Sequence, residues 1–355
     1  MAKISQTDNS ASPDSRLTQM DGGGHVGHAE PEWTVGDYLG AIGVRLGIRR
    51  MRYGVTPGLY AFGSPGPDSP IFVSANYKLS FDHLRRSLAG LNAWIVVLDT
   101  DGINVWCAAG KGTFGTDELV RKIRECRLHD RATHRRLILP QLGAPGVAAH
   151  EIKKQTGFAV VYGPVYAADI AAYVQAGFQA TPDMRRVRFQ WFERLTVAWL
   201  ELVIHLRKML LSGIALAVLA GVSAEGPSLS TAWNRGGMVF LLWVVSYGLA
   251  GTLGSLLLPW LPTRAFSIKG ACMGAALAAF GVWVAGPDWS VLRSTGWILL
   301  VSAGASHQLL NFTGATTFTS PSGVRREVRA ALPAQIAVGA IGLLAWTAAG
   351  FLPAW

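Results

Sequence analysis

From about Gly58 to Gln179, short apolar runs alternate with helix-length amphipathic segments. Ile71–Ala75, Ala93–Asp99, Arg136–Leu139 and Ala159–Tyr162 are apolar runs bounded by turn residues, and the pattern predicts strands there. Tyr77–Ala89, Thr116–Glu125, Val147–Thr156 and Ala167–Ala176 have the spacing of helices. Ala93–Asp99 is apolar on both faces, as a strand buried in a parallel sheet must be. This alternation predicts a parallel, doubly wound α/β sheet, with ligands at the carboxyl ends of its strands.

Past Arg185 the pattern changes. Arg185–Lys208 mixes Phe189, Trp191, Phe192, Leu195, Trp199, Leu202 and Leu206 with charged residues, which suits a membrane-interface linker or a helix packed on the α/β domain. Five apolar runs follow: Met209–Val222, Gly237–Trp260, Gly270–Ala285, Gly296–Leu310 and Leu332–Leu352. A bilayer span needs about 20 residues. The second and fifth runs are long enough, and snorkelling flanks extend the other three. The expected architecture is therefore an α/β domain over 33–184, an amphipathic linker over 185–208 and an all-α transmembrane bundle of five helices over 209–355. Residues 1–32 are rich in Ser, Asp, Gly and Pro, and read as a disordered tail without the apolar h-region of a signal peptide. His25 and His28 in that tail have the chemistry to bind a metal, but a solvated tail accounts for them better. Trp33–Ile48 has amphipathic helical spacing, and Arg49-Arg50-Met51-Arg52 makes a basic turn after it.

Composition supports a membrane protein. A mean hydropathy of +0.29 with 15% charged residues is too apolar for an ordinary soluble chain. The net charge of +10 does not indicate nucleic acid, because many of the arginines lie before or between apolar runs. Arg264, Lys269, Arg325, Arg326 and Arg329 fall in loops on the side of the Arg-rich linker, and only Arg235 and Arg293 fall opposite. The positive-inside rule then places the α/β domain in the cytoplasm of a multi-pass inner-membrane protein. His307 and Gln308 lie within the fourth run, where polar residues serve either function or helix–helix hydrogen bonding. The chain's three cysteines, Cys107, Cys126 and Cys272, form no CxxC pair, and an iron–sulfur cluster needs about four thiolates. Low-potential electrons would have to come from a partner.

The most distinctive stretch is Asn104-Val105-Trp106-Cys107-Ala108-Ala109-Gly110-Lys111, which follows the turn Thr100-Asp101-Gly102. Asn104 is a good N-cap, placing Val105 at the first helical position and Cys107 at the third. There the helix dipole, with Lys111 one turn on, favours a thiolate. Ala108, Ala109 and Gly110 leave room for a large flat group over the sulfur. A lone cysteine beside two alanines also fits a small core residue. A phosphate loop is excluded, since Val105 and Gly112 stand where a Walker A motif needs Gly and Ser/Thr. Gly110-Lys-Gly-Thr-Phe-Gly115 spells G-x-G-x-x-G, but the next strand leads into Pro140-Gln141 rather than an acidic residue for a ribose.

The run from Asp99 to Glu118 closely resembles the cap-helix motif of the HgcA family, the corrinoid proteins of microbial mercury methylation. Pro57–Tyr60, Val73–Lys78, Asn311–Gly314 and Ser322–Glu327 look like further blocks of that family. The resemblance implies a Rossmann-like corrinoid-binding domain similar to that of corrinoid iron–sulfur proteins. It also implies a cobalamin-type cofactor with cobalt ligated from below by Cys107. Asn76, Asn104, Val105, Trp106, Ala108, Ala109, Gly110 and Lys111 would be cofactor-binding. Asn104 would fix the helix start, Trp106 would pack beside the ring or against the sheet, and Lys111 would balance the thiolate charge. The implied activity is corrinoid-dependent methyl transfer to Hg(II). The implied partners are a ferredoxin-like iron–sulfur protein, HgcB, as electron donor and mercury carrier, and a methyl donor system such as methyltetrahydrofolate methyltransferase. A membrane-anchored corrinoid methyl carrier with another acceptor, or a metal or corrinoid binding or transport module, remains open.

Overall fold

The computed structural model describes residues 17–19, 25–224, 226–286, 289–312 and 321–352. The chain divides into two compact units, Met1–Val187 and Arg188–Trp355.

In the first unit the elements run β1 (Leu17–Gln19), β2 (His25–Ala29), α1 (Val35–Arg45), β3 (Gly58–Phe62), β4 (Ile71–Ala75), α2 (Lys78–Ser87), β5 (Ala93–Leu98), α3 (Val105–Lys111) and α4 (Thr116–Glu125). Then come α5 (Leu128–Arg131), β6 (Arg136–Leu139), α6 (Ala149–Thr156), β7 (Ala159–Tyr162) and α7 (Ile170–Gln175). All seven strands form one sheet in the order β1-β2-β3-β5-β4-β6-β7. Strands β5, β4, β6 and β7 are mutually parallel, as the alternating pattern predicts. The sheet as a whole is mixed, because β3 joins β5 antiparallel and β1 joins β2 antiparallel. The expected disordered tail is corrected at two places: Leu17–Gln19 and His25–Ala29 are strands, the second drawn into the sheet by pairing with β3 and the first by pairing with β2, rather than by any apolar run of their own. The rest of 1–24 lies outside the described residues.

Side chains alternate across the sheet, as the period of two requires. Val73, Val96, Leu98 and Leu139 pack with Ala108, Leu119, Ile123 and Ile152 of α3, α4 and α6. Phe72, Ile95, Val97 and Ile138 pack with Phe81, Leu88 and Tyr173 on the other face. All six residues of β5 are buried, which explains its two-sided apolarity.

A ring of buried charge fixes α1 to α2. Lys78 Nζ bonds Asp37 Oδ1 and lies 3.0 Å from Asp82 Oδ1. Arg85 donates from Nε to Asp82 at 2.9 Å and from Nη2 to Asp37 at 2.6 Å. Arg85 Nη1 also donates to the carbonyls of Glu30 and Glu32, both at 2.6 Å. All four members are at most 7% exposed, and the ring is charge-neutral. Burial alone would push the Asp37 carboxyl up. The Lys78 hydrogen bond, the Thr34 N–H and the charges of Lys78 and Arg85 outweigh it and hold the group at about 2.

The second unit has five long helices among its described residues: α8 (Trp191–Leu219), α9 (Leu229–Leu256), α10 (Phe266–Ala285), α11 (Val291–Phe312) and α12 (Pro321–Ala348). The expected division between a linker and a first span is corrected. α8 runs unbroken for 29 residues through both, since no proline interrupts it. Four helices, all but α11, are long and apolar enough to cross a membrane. Ser302, Ser306, His307, Gln308 and Asn311 lower the hydropathy of α11, whose face through Trp297, Val301, Ala305 and Leu309 is buried. Close helix approach rests on small residues. An added Cβ at Gly270 of α10 would run into the Ala305 carbonyl of α11, and one at Gly274 would lie 2.8 Å from the Val301 carbonyl. Gly274→Leu is therefore expected to cost the unit about 1–3 kcal/mol or more in detergent thermal unfolding. Gly237→Leu, at a position with open space around it, should be silent. Equal melting temperatures would show that α10 and α11 are not tightly apposed.

Candidate functional site

In the parallel part of the sheet, β5 and β6 lie on opposite sides of β4, so the connections after β4 run in opposite directions. The crevice at such a switch point is where open α/β sheets bind ligands. The segments following these strands are Asn76-Tyr77, the turn Asp99–Ile103 leading to α3, and a 3-10 turn, Gln141–Gly146.

Helix α3 forms as its sequence predicts. Asn104 is the N-cap, its side chain accepting from Cys107 N at 2.9 Å, and Gly112 closes the helix at φ 87°. Cys107, Gly110 and Lys111 are exposed, and Asn104 and Trp106 are half-buried. Asn104, Cys107 and Lys111 follow one another at i, i+3 and i+7, with Gly110 beside them, so they share the outward face. Val105, Ala108 and Ala109 are buried. The small residues thus serve two ends. Ala108 is fully buried, and Ala109 meets the 3-10 turn so closely that a Cβ added at Gly146 would lie 3.0 Å from Ala109 Cα. Gly110 alone leaves the outer surface bare, with nothing within 4 Å of where a Cβ would stand. The expectation that Ala108 and Ala109 clear space over the sulfur is replaced by a packing role, because they face the core.

Asn76, 8% exposed, holds the turn that delivers α3. Its Oδ1 accepts from Thr100 N at 3.1 Å and from Gly102 N at 3.0 Å. Thr100 Oγ1 lies 2.8 Å from that oxygen and 2.7 Å from Ile103 O, and donates to one at a time. Asp101 and Gly102 adopt positive φ of 56° and 68°, a conformation this clamp sustains. Asp99 N leaves the sheet ladder to donate to Glu118 Oε1 at 2.8 Å. Asn76→Ala would strand the amides of Thr100 and Gly102, at about 1–3 kcal/mol for each unsatisfied group. The expected result is a lowered melting temperature together with faster amide exchange in α3. Unchanged exchange there would refute the clamp.

Sequence reasoning overlooked Tyr77, although it sits in the same block as Asn76. It is 6% exposed. Burial raises its phenol pKa, the charges of Arg50 and Arg45 oppose this, and a negative Cys107 adds to the rise. A neutral phenol therefore stands within electrostatic reach of the Cys107 sulfur. The other cysteine of this unit differs: Cys126 packs against the core, and burial pushes its thiol up to about 11. Among the described residues no three His, Cys, Asp or Glu side chains gather to hold a metal ion.

In the helical unit, Gln335 donates to Ser306 Oγ at 2.8 Å, and Glu327 accepts from Ser267 N at 2.7 Å, capping α10. The Ser322–Glu327 block therefore supplies a cap, and helix–helix bonding accounts for Ser306. His307 Nε2 lies 3.3 Å from Asn311 Nδ2. Gln308 is buried against Gly251 with neither amide atom bonded among the described residues. The Asn311–Gly314 block lies partly outside the described residues.

Residues 50–174, which include Asn76, Tyr77 and Cys107, match the CdhD family, described as CO dehydrogenase/acetyl-CoA synthase delta subunit. The gamma subunit of the acetyl-CoA decarbonylase/synthase complex of Archaeoglobus fulgidus is 32% identical over 123 residues, 34% of this chain and 26% of that protein. The corresponding subunit of Methanopyrus kandleri is 28% identical over 123 residues, again 34% of this chain and 26% of that protein. The corrinoid/iron-sulfur protein large subunit of Moorella thermoacetica is 26% identical over 120 residues, 33% of this chain and 26% of that protein. The chain thus spans about a quarter of the length of the curated relatives it matches. The family match ends before the helical unit begins.

Proposed function

We propose that this chain is a membrane-anchored, corrinoid-dependent methyltransferase that methylates Hg(II), as its likeness to the HgcA family implies, with Cys107 as the residue that would hold the corrinoid's cobalt. The observation that carries the proposal is an exposed thiol beside bare Gly110, at the strand ends of a domain similar to a corrinoid/iron-sulfur protein subunit. Among the described residues no cluster of ligating side chains surrounds Cys107, which fits a metal that brings its other ligands along, as a corrin ring does. When bound, the corrinoid supplies a cobalt-held methyl group, and a soft thiolate ligand makes that group more able to leave with electrons toward an electrophile. Asn104 orients the cysteine through its backbone amide, Lys111 places a cation one turn away, and the neutral phenol of Tyr77 stands within electrostatic reach of the sulfur. Three cysteines are too few for an iron–sulfur cluster of the chain's own, so a ferredoxin-like partner of the HgcB kind supplies electrons.

The named roles of the relatives favour one other reading, a corrinoid methyl carrier with a different acceptor. Purified chain, loaded with methylated corrinoid and given Hg(II), separates the two. Methylmercury by mass spectrometry is the expected product. Retention of the methyl group would favour the other acceptor, and failure to bind corrinoid would overturn both.

We propose a cytoplasmic α/β unit and five spans, α11 crossing inside the bundle. A periplasm-dependent reporter fused after Trp355 should be active, and one in the loop at Thr263 should be silent. The reverse pattern would overturn the orientation.

A further inference from the structure

Helix α1 turns its apolar side outward. Its buried residues are Asp37, Ala41 and Val44, and the charge ring holds the first of them. Val35, Tyr38, Leu39, Ile42 and Leu46, at i, i+3, i+4, i+7 and i+11, form one continuous stripe. They are 76%, 49%, 63%, 54% and 41% exposed, and Ile48 follows at 59%. The single carboxylate of the helix, Asp37, points inward, so the stripe carries no negative charge. Exposed Glu30 and Glu32 precede the helix at one end. At the other end stand Arg45, in the last turn, and Arg49, Arg50 and Arg52 just beyond it. An apolar stripe of this length on a domain with a complete core of its own requires a cover. Four clustered arginines at its end match anionic headgroups, each worth about 1 kcal/mol near such a surface. The helical unit carries four helices long and apolar enough to cross a membrane, so a bilayer is tethered to α1 at high effective concentration.

We propose that α1 lies in the interface of an anionic membrane, with its stripe at the acyl boundary and Arg45, Arg49, Arg50 and Arg52 on lipid phosphates. The inference rests on the bilayer-spanning reading of the helical unit. It gives the α/β unit a second, reversible attachment besides the chain itself. The ring of Asp37, Lys78, Asp82 and Arg85 transmits that attachment to α2, which begins two residues after Asn76.

The test is photo-crosslinking in the full chain. Benzoylphenylalanine is placed at Leu39 or Ile42 in nanodiscs of phosphatidylcholine with phosphatidylglycerol, and adducts are identified by mass spectrometry. Leu241, exposed on α9, reports insertion of the spans, and Lys154, exposed on α6, reports background. The expected result is lipid adducts at Leu39, Ile42 and Leu241 and none at Lys154. At Leu39 and Ile42 they should fall at least threefold in phosphatidylcholine alone, or when the four arginines are changed to Gln. Adducts at Leu241 without any at Leu39 and Ile42 would overturn the proposal, as would adducts from those two positions to protein. Absence of lipid adducts at Leu241 as well would overturn the bilayer reading beneath it.

Discussion

Cys107→Ala is expected to change the cobalt absorption spectrum and to reduce methyl transfer by more than the about 10–100-fold that losing an outer-shell partner costs. Cys107→His keeps a ligand but replaces a charged, soft donor with a neutral imidazole. It should retain corrinoid and lose most transfer to Hg(II). Gly110→Leu tests the complementary requirement, because it fills the open outer face beside an unaltered thiol. It should lose corrinoid, with activity falling in proportion to occupancy. Ala108→Leu does not ask that question. Ala108 is fully buried, so the added bulk would overpack the core and lower the melting temperature, at about 1–3 kcal/mol. Corrinoid content and initial rate on the same preparations decide the matter. Full methylation per bound corrinoid in Cys107→His would remove the thiolate from the explanation.

Arg85→Met should cause the largest loss of stability in the α/β unit. It leaves two buried carboxylates, Asp37 and Asp82, sharing Lys78, and it removes the donor to the Glu30 and Glu32 carbonyls. Breaking a buried pair in this way costs about 3–5 kcal/mol, a fall of about 10 °C for a unit of this size. A shift of under about 2 °C would mean that water, not the ring, solvates these charges. The pH dependence has a definite sign. The Asp37 pKa is depressed from 3.8 to about 2, so its contribution is complete above the unfolded value and disappears as pH falls from 3.8 toward 2. That contribution amounts to about 2 kcal/mol. The gap in stability between wild type and Asp37→Asn should therefore be widest near neutrality and narrow below pH 4. A gap that widened on acidification would contradict the assignment.

The parallel strands were legible because each is an uninterrupted apolar run. β4, β6 and β7 fall where the sequence places them, and β5 ends one residue early because Asp99 N is taken by Glu118. β2 was not legible. His25–Ala29 has only two apolar side chains besides its glycine, and its place in the sheet comes from pairing with β3, some thirty residues on. Helical periodicity marked out the segment of α1, but period alone does not say whether an apolar stripe faces a core or the outside. The charge ring escaped notice because Asp37 and Arg85 are 48 residues apart in sequence. At the site, Asn104 and Cys107 behave as local rules require. The division of labour among Ala108, Ala109 and Gly110 was hidden, since smallness serves packing and access alike until the neighbouring Gly146 backbone is seen.

The clamp on Asn76 and the contact between Ala109 and Gly146 also bear on mechanical compliance. A thiol on a floppy loop would follow whatever pulled on it, so the length of any bond it made would be set by the ligand alone. Cys107 instead rides a seven-residue helix pinned at its entry turn by Asn76, at its cap by Asn104 and along its back by the 3-10 turn. Such a mount acts as a stiff spring. A group bound to the sulfur must come to the protein, and changes in its preferred bond length will appear as strain in that bond rather than as motion of the chain.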